Sequence, residues 1–285
     1  MPGRERNAIH FPRGGRACHE PERANDNAEA RALGSGRMKR LLAATLATLV
    51  LITAGTVAAL SITYWAMARR FVAGDEHALD GIVVADFTRV LAGPYATMLL
   101  GDMGAQVVKV ERPGTGDDTR HWGPPFDPYG RATYFEGVNR NKQSVTLDIS
   151  QPEGQAIAKK LIAGCDILVE NFKVGALAKY GLGYEELHKE FPRLIYCSIT
   201  GFGQTGPYAP RPGYDALIQA MGGVMSLTGE PDSLPQKVGV PLADVFAGLY
   251  ACIGILAALR HRDATGQGQQ IDIGMLDTHM AWLAN

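Results

Sequence analysis

One carboxylate interrupts a long apolar stretch near the end of the sequence. Asp244 is the only charged residue between Lys237 and Arg260. An Asp immediately before a helix commonly caps it, because its side chain accepts hydrogen bonds from first-turn N–H groups that have no other partner. The spacing therefore predicts a helix that begins after Asp244, with Asp244 as its N-cap. A chemical role for this carboxylate is the alternative, and the rest of the chain has to support it.

The elements that would position Asp244 alternate between strand and helix from residue 79 onward. Strands are predicted at 81–87, 105–112, 144–149, 166–171, 193–200 and 269–275, and helices at 93–104 and 152–165. This alternation predicts an α/β fold with a mainly parallel sheet covered by helices. Ligands of such sheets bind beyond the carboxyl ends of the strands. Chemistry is therefore expected in the loops after Asp86, Arg112, Asn171 and Thr200.

The composition excludes several classes of function. With 285 residues, of which 46% are hydrophobic and 20% charged, the chain can build a sizeable core. The 28 basic and 29 acidic residues nearly balance, which gives no electrostatic reason to expect a nucleic acid partner. The four cysteines form no C-x-x-C pair, so neither a metal site nor a disulfide framework is predicted, and a reducing compartment fits.

The N-terminal part differs from the rest. Residues 1–40 are polar and rich in Arg, which predicts a disordered basic arm. Residues 41–68 contain no charged side chain and exceed the roughly 20 residues that span a bilayer, and Tyr64 and Trp65 lie near one end, as interfacial aromatic residues do. This hydrophobic helix is either a transmembrane anchor or an extension outside the functional protein. The excess of basic residues before it would place 79–285 outside the cytoplasm.

The loop after the first strand argues against a nicotinamide-dependent dehydrogenase. Its sequence, DFTRVLAGPYA (86–96), has no G-x-G-x-x-G. The nearby Gly114-Thr115-Gly116 runs into Asp117 and Asp118, whose charge would repel a pyrophosphate. The sequence also lacks the P-loop, H-E-x-x-H and G-x-S-x-G motifs, so P-loop, zincin and α/β-hydrolase chemistry have no support.

Several long segments resemble one known family. In chain order they are LDGIVVADFTRVLAGPYATMLLGDMGAQVVKVERPGTGDDTR, YFEGVNRNKQSVTLDI, DILVENFKVGAL, PGYDALIQAMGGVMSLTGEP and ADVFAGLYACIGILAAL. They are similar to class III CoA-transferases of the CaiB/BaiF type, which include the formyl-CoA:oxalate and crotonobetainyl-CoA:carnitine enzymes. The resemblance implies a Rossmann-like large domain over 79–285, a small C-terminal domain that these residues lack, and an interlocked homodimer. Because that domain is lacking, we expect weak CoA binding and poor turnover.

The resemblance also implies a mechanism and a binding site. Asp244 would attack an acyl-CoA thioester, then carry coenzyme A as an aspartyl-CoA thioester, which a small carboxylic acid resolves. A helix N-terminus would keep Asp244 ionised for this attack. Coenzyme A is thus a substrate, and no permanent cofactor is expected. The predicted coenzyme A-binding positions are Ala92, Arg112, Leu147, Asp148, Asn171, Phe172, Lys179, Tyr214 and Asp215. Lys179 stands where relatives often have Arg.

Two neighbouring residues separate the main alternatives. The similar α-methylacyl-CoA racemases have a His where this chain has Tyr214, and Tyr, with a free pKa near 10, is a poor base at neutral pH. A transferase is therefore favoured over a racemase. Asp215 either hydrogen-bonds in the site or starts a helix. A non-catalytic, membrane-tethered remnant stays open, but because CoA thioesters are cytoplasmic, we favour a cytoplasmic catalytic domain and an N-terminal extension without a catalytic role.

Overall fold

The computed structural model describes residues 77–284. The predicted basic arm (1–40) and hydrophobic segment (41–68) lie outside these residues. The strands are β1 Val83–Phe87, β2 Gln106–Glu111, β3 Lys142–Thr146, β4 Ile167–Glu170, β5 Ile195–Thr200 and β6 Gln270–Gly274. The α-helices are α1 Ala92–Asp102, α2 Thr133–Asn139, α3 Pro152–Ile162, α4 Tyr184–Glu190, α5 Asp215–Met221, α6 Leu242–Thr265 and α7 Met275–Ala281. Within residues 79–285, every predicted strand and helix is present with its ends within three residues of the prediction.

The six strands form one parallel sheet in the order β3-β2-β1-β4-β5-β6. This order is that of doubly wound α/β sheets, in which successive strands are added on one side of β1 and then, from β4 onward, on its other side. The predicted α/β fold with a parallel, helix-covered sheet is confirmed. The crevice at the carboxyl ends of β1 and β4 is where such sheets bind ligands.

Two apolar layers cover the two faces of the sheet. Because successive strand residues point to opposite faces, Val84 packs in the layer that includes α1 and α6, whereas Ala85 packs in the layer that includes α3 and α4. The strands β1, β4 and β5 are almost fully buried, as expected for strands covered on both faces. This packing fixes the strand ends, from which the site is built.

Helix α6 starts earlier than predicted. Pro241 is its N-cap residue and Leu242 its first helical residue, so Asp244 lies inside the first turn. The predicted capping role of Asp244 is therefore wrong. The cap comes from another part of the chain, because Asp215 at the start of α5 accepts a hydrogen bond from the Ala243 N–H at 2.9 Å. The Asp244 carboxylate is therefore not needed to cap α6.

A glycine lets α6 lie close against α1. A Cβ atom at Gly248 would come within 2.7 Å of the Ala92 carbonyl oxygen and 2.9 Å of Tyr95 Cδ1. Gly248 lies one turn after Asp244, so this close approach brings Asp244 to the first residue of α1. Among residues 77–284, α6 is also the one helix long and apolar enough to cross a membrane by length and composition, a test that core helices of soluble proteins pass as well.

Candidate active site

Two cavities open at the carboxyl ends of the strands. The larger, of about 340 Å³, contains Asp244 and is called the Asp244 cavity here. Among its lining residues are four of the positions that the sequence predicted, Ala92, Asn171, Phe172 and Tyr214. The smaller, of about 290 Å³, contains Arg112 together with Leu147 and Asp148, and is called the Arg112 cavity. Arg89 and Phe172 line both cavities, so the two adjoin.

Asp244 sits in an environment that favours its neutral form. Burial, and then the nearby Asp215 carboxylate, raise the pKa of Asp244 to about 7. A hydrogen bond from the backbone N–H of Ala92 and the positive charge of Lys237 act in the opposite direction. The expectation that the helix N-terminus keeps Asp244 ionised is therefore only partly right, because burial outweighs it. At neutral pH the group exists in both forms, as perturbed carboxyl groups at catalytic sites often do.

Tyr134 of α2 is a neighbour that sequence reasoning missed. Burial, and then the charges of Asp244 and Asp215, raise the pKa of the Tyr134 phenol to about 12. The phenol is therefore neutral at physiological pH and can donate a hydrogen bond. Its ring meets Trp122 edge to face, with 5.5 Å between centroids. Helix α2, which carries Tyr134, is short and partly exposed, so its sequence has no clear hydrophobic periodicity from which the helix could be predicted.

Asn171 and Phe172 act on the loop between β1 and α1. Asn171 Oδ1 accepts a hydrogen bond from the Arg89 N–H at 3.0 Å, and its Nδ2 donates to the Arg89 carbonyl oxygen at 2.7 Å. The Phe172 ring lies 5.4 Å from the Arg89 guanidinium carbon. Both predicted residues therefore line the cavities, and the Asn171 side chain uses both of its polar atoms to bind the backbone of Arg89. The sequence did not single out Arg89.

The Arg112 cavity is lined by two arginines, Arg89 and Arg112, and by the acidic residues Glu111, Asp117 and Asp148. Arg112 is half exposed and forms a 2.5 Å ion pair with Asp118 at its rim. Arg89 lines the same cavity, and a guanidinium can bind a phosphate with two parallel hydrogen bonds. Asp148 accepts hydrogen bonds from the Ser150 hydroxyl and N–H, which lower the pKa of Asp148 and fix the turn after β3.

The remaining predicted residues divide into near and distant ones. Lys179 lies in a single 3₁₀ turn, Ala178–Tyr180, and lines neither cavity. Asp215 is buried behind Asp244, where it caps α6 and accepts a hydrogen bond from Gln219. It is thus the start of a helix and also an electrostatic neighbour of Asp244. Within residues 77–284 there is no group of three or more His, Cys, Asp or Glu side chains that could hold a metal ion.

Comparison with known proteins identifies relatives over this same part of the chain. Residues 79–285 match CoA-transferase family III. A succinate–glutarate CoA-transferase of Agrobacterium fabrum is 53% identical over 73% of this chain and 53% of the relative. A human succinyl-CoA:glutarate CoA-transferase is 50% identical over 73% of this chain and 47% of the relative. The chain spans about half the length of these curated relatives.

Solved structures agree with this result. A CaiB/BaiF family protein from Brucella suis is 54% identical, with a TM-score of 0.72 over 74% of this chain and 56% of that chain. The protein Rv3272 from Mycobacterium tuberculosis is 35% identical, with a TM-score of 0.67 over 74% of this chain and 57% of that chain. The α/β fold described above is therefore shared with solved relatives.

Proposed function

Because the chain belongs to CoA-transferase family III, we propose that it transfers coenzyme A from an acyl-CoA thioester to a carboxylic acid, with Asp244 as the nucleophile. The observation that carries the proposal is the position of Asp244. It is a carboxyl group with a pKa of about 7 in a cavity that adjoins a second, arginine-bearing cavity. Such a pair of cavities suits a thioester at one end and a phosphorylated nucleotide at the other.

The proposed reaction consists of acyl transfers through Asp244. A carboxylate oxygen of Asp244 attacks the thioester carbonyl carbon, and the C–S bond breaks. The products are the free coenzyme A thiolate and a mixed anhydride between Asp244 and the donor acyl group. The thiolate then attacks the Asp244 carbonyl carbon, which releases the donor acid as a carboxylate and leaves an aspartyl-CoA thioester. The acceptor carboxylate then attacks the carbonyl carbon of the aspartyl-CoA thioester, which releases the thiolate and forms a second mixed anhydride. The thiolate attacks the acceptor's carbonyl carbon in this anhydride, so the new thioester leaves and the Asp244 carboxylate is regenerated without any other reactant. Dividing one exchange into such steps is the general benefit of covalent catalysis.

The basic residues of the Asp244 cavity favour acidic acyl groups. Lys173 and Arg211 line this cavity, and the Arg211 guanidinium carbon stacks 4.3 Å from the Tyr208 ring centroid. Within the described part of the chain, no carboxylate forms an ion pair with Arg211. The similar proteins from Agrobacterium fabrum and human are named for succinate or succinyl-CoA and glutarate. We therefore propose dicarboxylic acids as the substrate class, with succinyl-CoA as the donor to test first.

The partners and location follow from the same chemistry. Acyl-CoA thioesters are made and used in the cytoplasm, so we propose a cytoplasmic catalytic domain, and the homodimer of the family as its assembly. Residues 41–68 are proposed to play no catalytic part. Fractionation of cells that express the full chain tests this, because behaviour as an integral membrane protein with its C-terminus outside would contradict it.

Intact-mass spectrometry tests the nucleophile. The full chain is incubated with succinyl-CoA and glutarate, and the covalent adduct is mapped after hydroxylamine cleavage and borohydride reduction. We expect a coenzyme A adduct on Asp244 that is absent from Asp244→Asn. Asp263→Asn is the matched control, because Asp263 is exposed near the far end of the same helix. An adduct that persists in Asp244→Asn, or no adduct on the unaltered chain, would refute the proposal.

A further inference from the structure

The loop between β1 and α1 holds a strained residue at the junction of the two cavities. Val90 has a φ of 70°, in the left-handed region that β-branched residues avoid. Such a conformation costs about 1–3 kcal/mol and persists only when its surroundings hold it. Val90 lines the Asp244 cavity, and its neighbour Arg89 lines both. Something in the structure must therefore keep this loop in place.

Buried side chains bind the backbone of this loop at successive residues. Asp86 Oδ1 accepts a hydrogen bond from the Thr88 N–H at 2.9 Å, and Lys109 Nζ donates to the Thr88 carbonyl oxygen at 2.8 Å. Asp117 Oδ1 accepts a hydrogen bond from the Val90 N–H at 3.3 Å. Because Asn171 also binds the backbone N–H and carbonyl oxygen of Arg89, the backbone of each of the residues 88–90 has a side-chain partner.

Lys109 and Asp117 form the centre of this support. Lys109 Nζ lies 2.9 Å from Asp117 Oδ2, and each side chain is only 1% exposed. Burying two charges costs a large desolvation free energy, and well-packed apolar residues often serve stability as well or better. The pair therefore offers little as a source of stability. It does offer two fixed polar contacts to the loop, one from each partner.

The loop ends at a residue beside the proposed nucleophile. Ala92 is the first residue of α1 and lines the same cavity as Asp244. A Cβ atom at Gly248, one turn after Asp244, would come within 2.7 Å of the Ala92 carbonyl oxygen, so α6 and α1 meet at this residue, and the Ala92 N–H acts to lower the pKa of Asp244. We propose that Lys109, through its ion pair with Asp117, is a positioning residue that holds the strained loop so that the Ala92 N–H reaches Asp244. This inference rests on the proposed function, in which Asp244 is the nucleophile.

The other groups around Asp244 do not belong to this support. Asp215 faces it from the start of α5, Lys237 from the loop before α6, and Tyr134 from α2. Replacing Lys109 and Asp117 together substitutes none of these three side chains and leaves the net charge unchanged. Asp117 does act on Tyr134, whose pKa it helps to raise, but it is not among the groups that shift the pKa of Asp244. A change in the ionisation of Asp244 then reports the loop and the Ala92 N–H, not a change in the overall charge.

The double variant Lys109→Met/Asp117→Leu of the full chain tests the inference. The Asp244 carboxyl is titrated by carbon-13 NMR, its signal assigned by its loss in Asp244→Asn. We expect the midpoint to rise by about 1 pH unit or more, the effect of losing one hydrogen bond to an ionised group. The rate of coenzyme A adduct formation at pH 6 should fall about tenfold in parallel, because less Asp244 is ionised.

A matched pair at the other end of the sheet is the control. Arg262 Nη1 lies 2.8 Å from Asp166 Oδ1, and Asp166 Oδ2 accepts a hydrogen bond from a strand N–H, that of Val83. Arg262→Met/Asp166→Leu thus removes the same chemistry far from Asp244 and should leave the midpoint unchanged. An unmoved midpoint in the folded Lys109 and Asp117 variant, or an equal shift in the control, would overturn the inference.

A gentler variant covers the case in which the first does not fold. Lys109→Met/Asp117→Asn keeps an amide oxygen for the Val90 N–H and loses only the contact to Thr88, so a smaller rise is expected and no rise would overturn the inference. The titration needs no substrate. If the unaltered chain forms no adduct, the proposed function fails, and the titration still decides the positioning role of Lys109.

Discussion

Replacing Asp244 by Asn should stabilise the protein at alkaline pH. In the folded chain the pKa of Asp244 is raised from 3.8 to about 7, with burial as the main cause. The unfolded chain therefore loses this proton at a lower pH than the folded one. Stability that is present below pH 4 is lost as the pH rises toward 7, and stays lost above it. The shift corresponds to about 4 kcal/mol at pH 8, at 1.36 kcal/mol for each pH unit.

The test is urea unfolding of the full chain and of Asp244→Asn at two pH values. Asn has nearly the shape of Asp and keeps an oxygen for the Ala92 N–H, so little besides the charge changes. We expect a gain in the free energy of unfolding of up to about 4 kcal/mol at pH 8 and only about 1 kcal/mol at pH 4.5. Asp263→Asn on the exposed surface should stay within about 0.5 kcal/mol of the unaltered chain. Equal gains at both pH values, or none at pH 8, would refute the reasoning.

Three further predictions concern other residues of the described domain. Burial raises the pKa of Glu170 to about 7, so Glu170→Gln should also raise the free energy of unfolding at pH 8 more than at pH 4.5, and urea unfolding that shows no such difference would contradict this. Gly248→Ala should cost about 1–3 kcal/mol in the same assay because its new methyl group meets the backbone of α1, whereas Gly137→Ala, with open space around it, should gain up to about 1 kcal/mol. Arg211→Met should raise the half-saturating concentration of glutarate about tenfold, because one charged contact is lost, and should leave that of a monocarboxylic acid unchanged. Steady-state kinetics with both acids test this, and an equal rise for both would exclude recognition of the second carboxylate by Arg211.

The sheet could be predicted because its central strands have a clear hydrophobic pattern in the sequence. The strands β1, β4 and β5 are short apolar runs bounded by polar or turn residues, which is the pattern of buried parallel strands. Helix α2 could not be predicted, because its seven residues are too few for a periodicity to show. The resemblance to a known family supplied Asp244 and most of the predicted positions that line the cavities, whereas the predicted residues Lys179 and Asp215 line neither cavity.

The electrostatics of the site could not be predicted because its causes are distant in sequence. The cap of α6 comes from Asp215, 28 residues before Ala243. Lys109 stands in the middle of the strand QVVKVE, where alternation alone indicates a solvent-facing side chain. It is buried instead because Asp117, from the loop after the strand, supplies its counter-charge. Pairing between a strand residue and a loop residue leaves no periodic pattern in the sequence.

Two helix N-termini converge on the Asp244 carboxyl group, and this explains how a buried carboxyl can serve a reaction in which its charge comes and goes. Asp244 lies in the first turn of α6, and the backbone N–H that acts to lower its pKa is that of Ala92, the first residue of α1. These partial positive charges offset part of the cost of burying the anion. In the proposed reaction, acylation removes the charge of Asp244, and the same Ala92 N–H would face its carbonyl oxygen. Attack by the coenzyme A thiolate on the Asp244 carbonyl carbon would return negative charge to that oxygen, where a fixed donor stabilises the transition state. The donor that lowers the pKa of the resting carboxylate is thus placed to serve the later step as well, which is why its positioning by the β1–α1 loop bears on both halves of the proposed reaction.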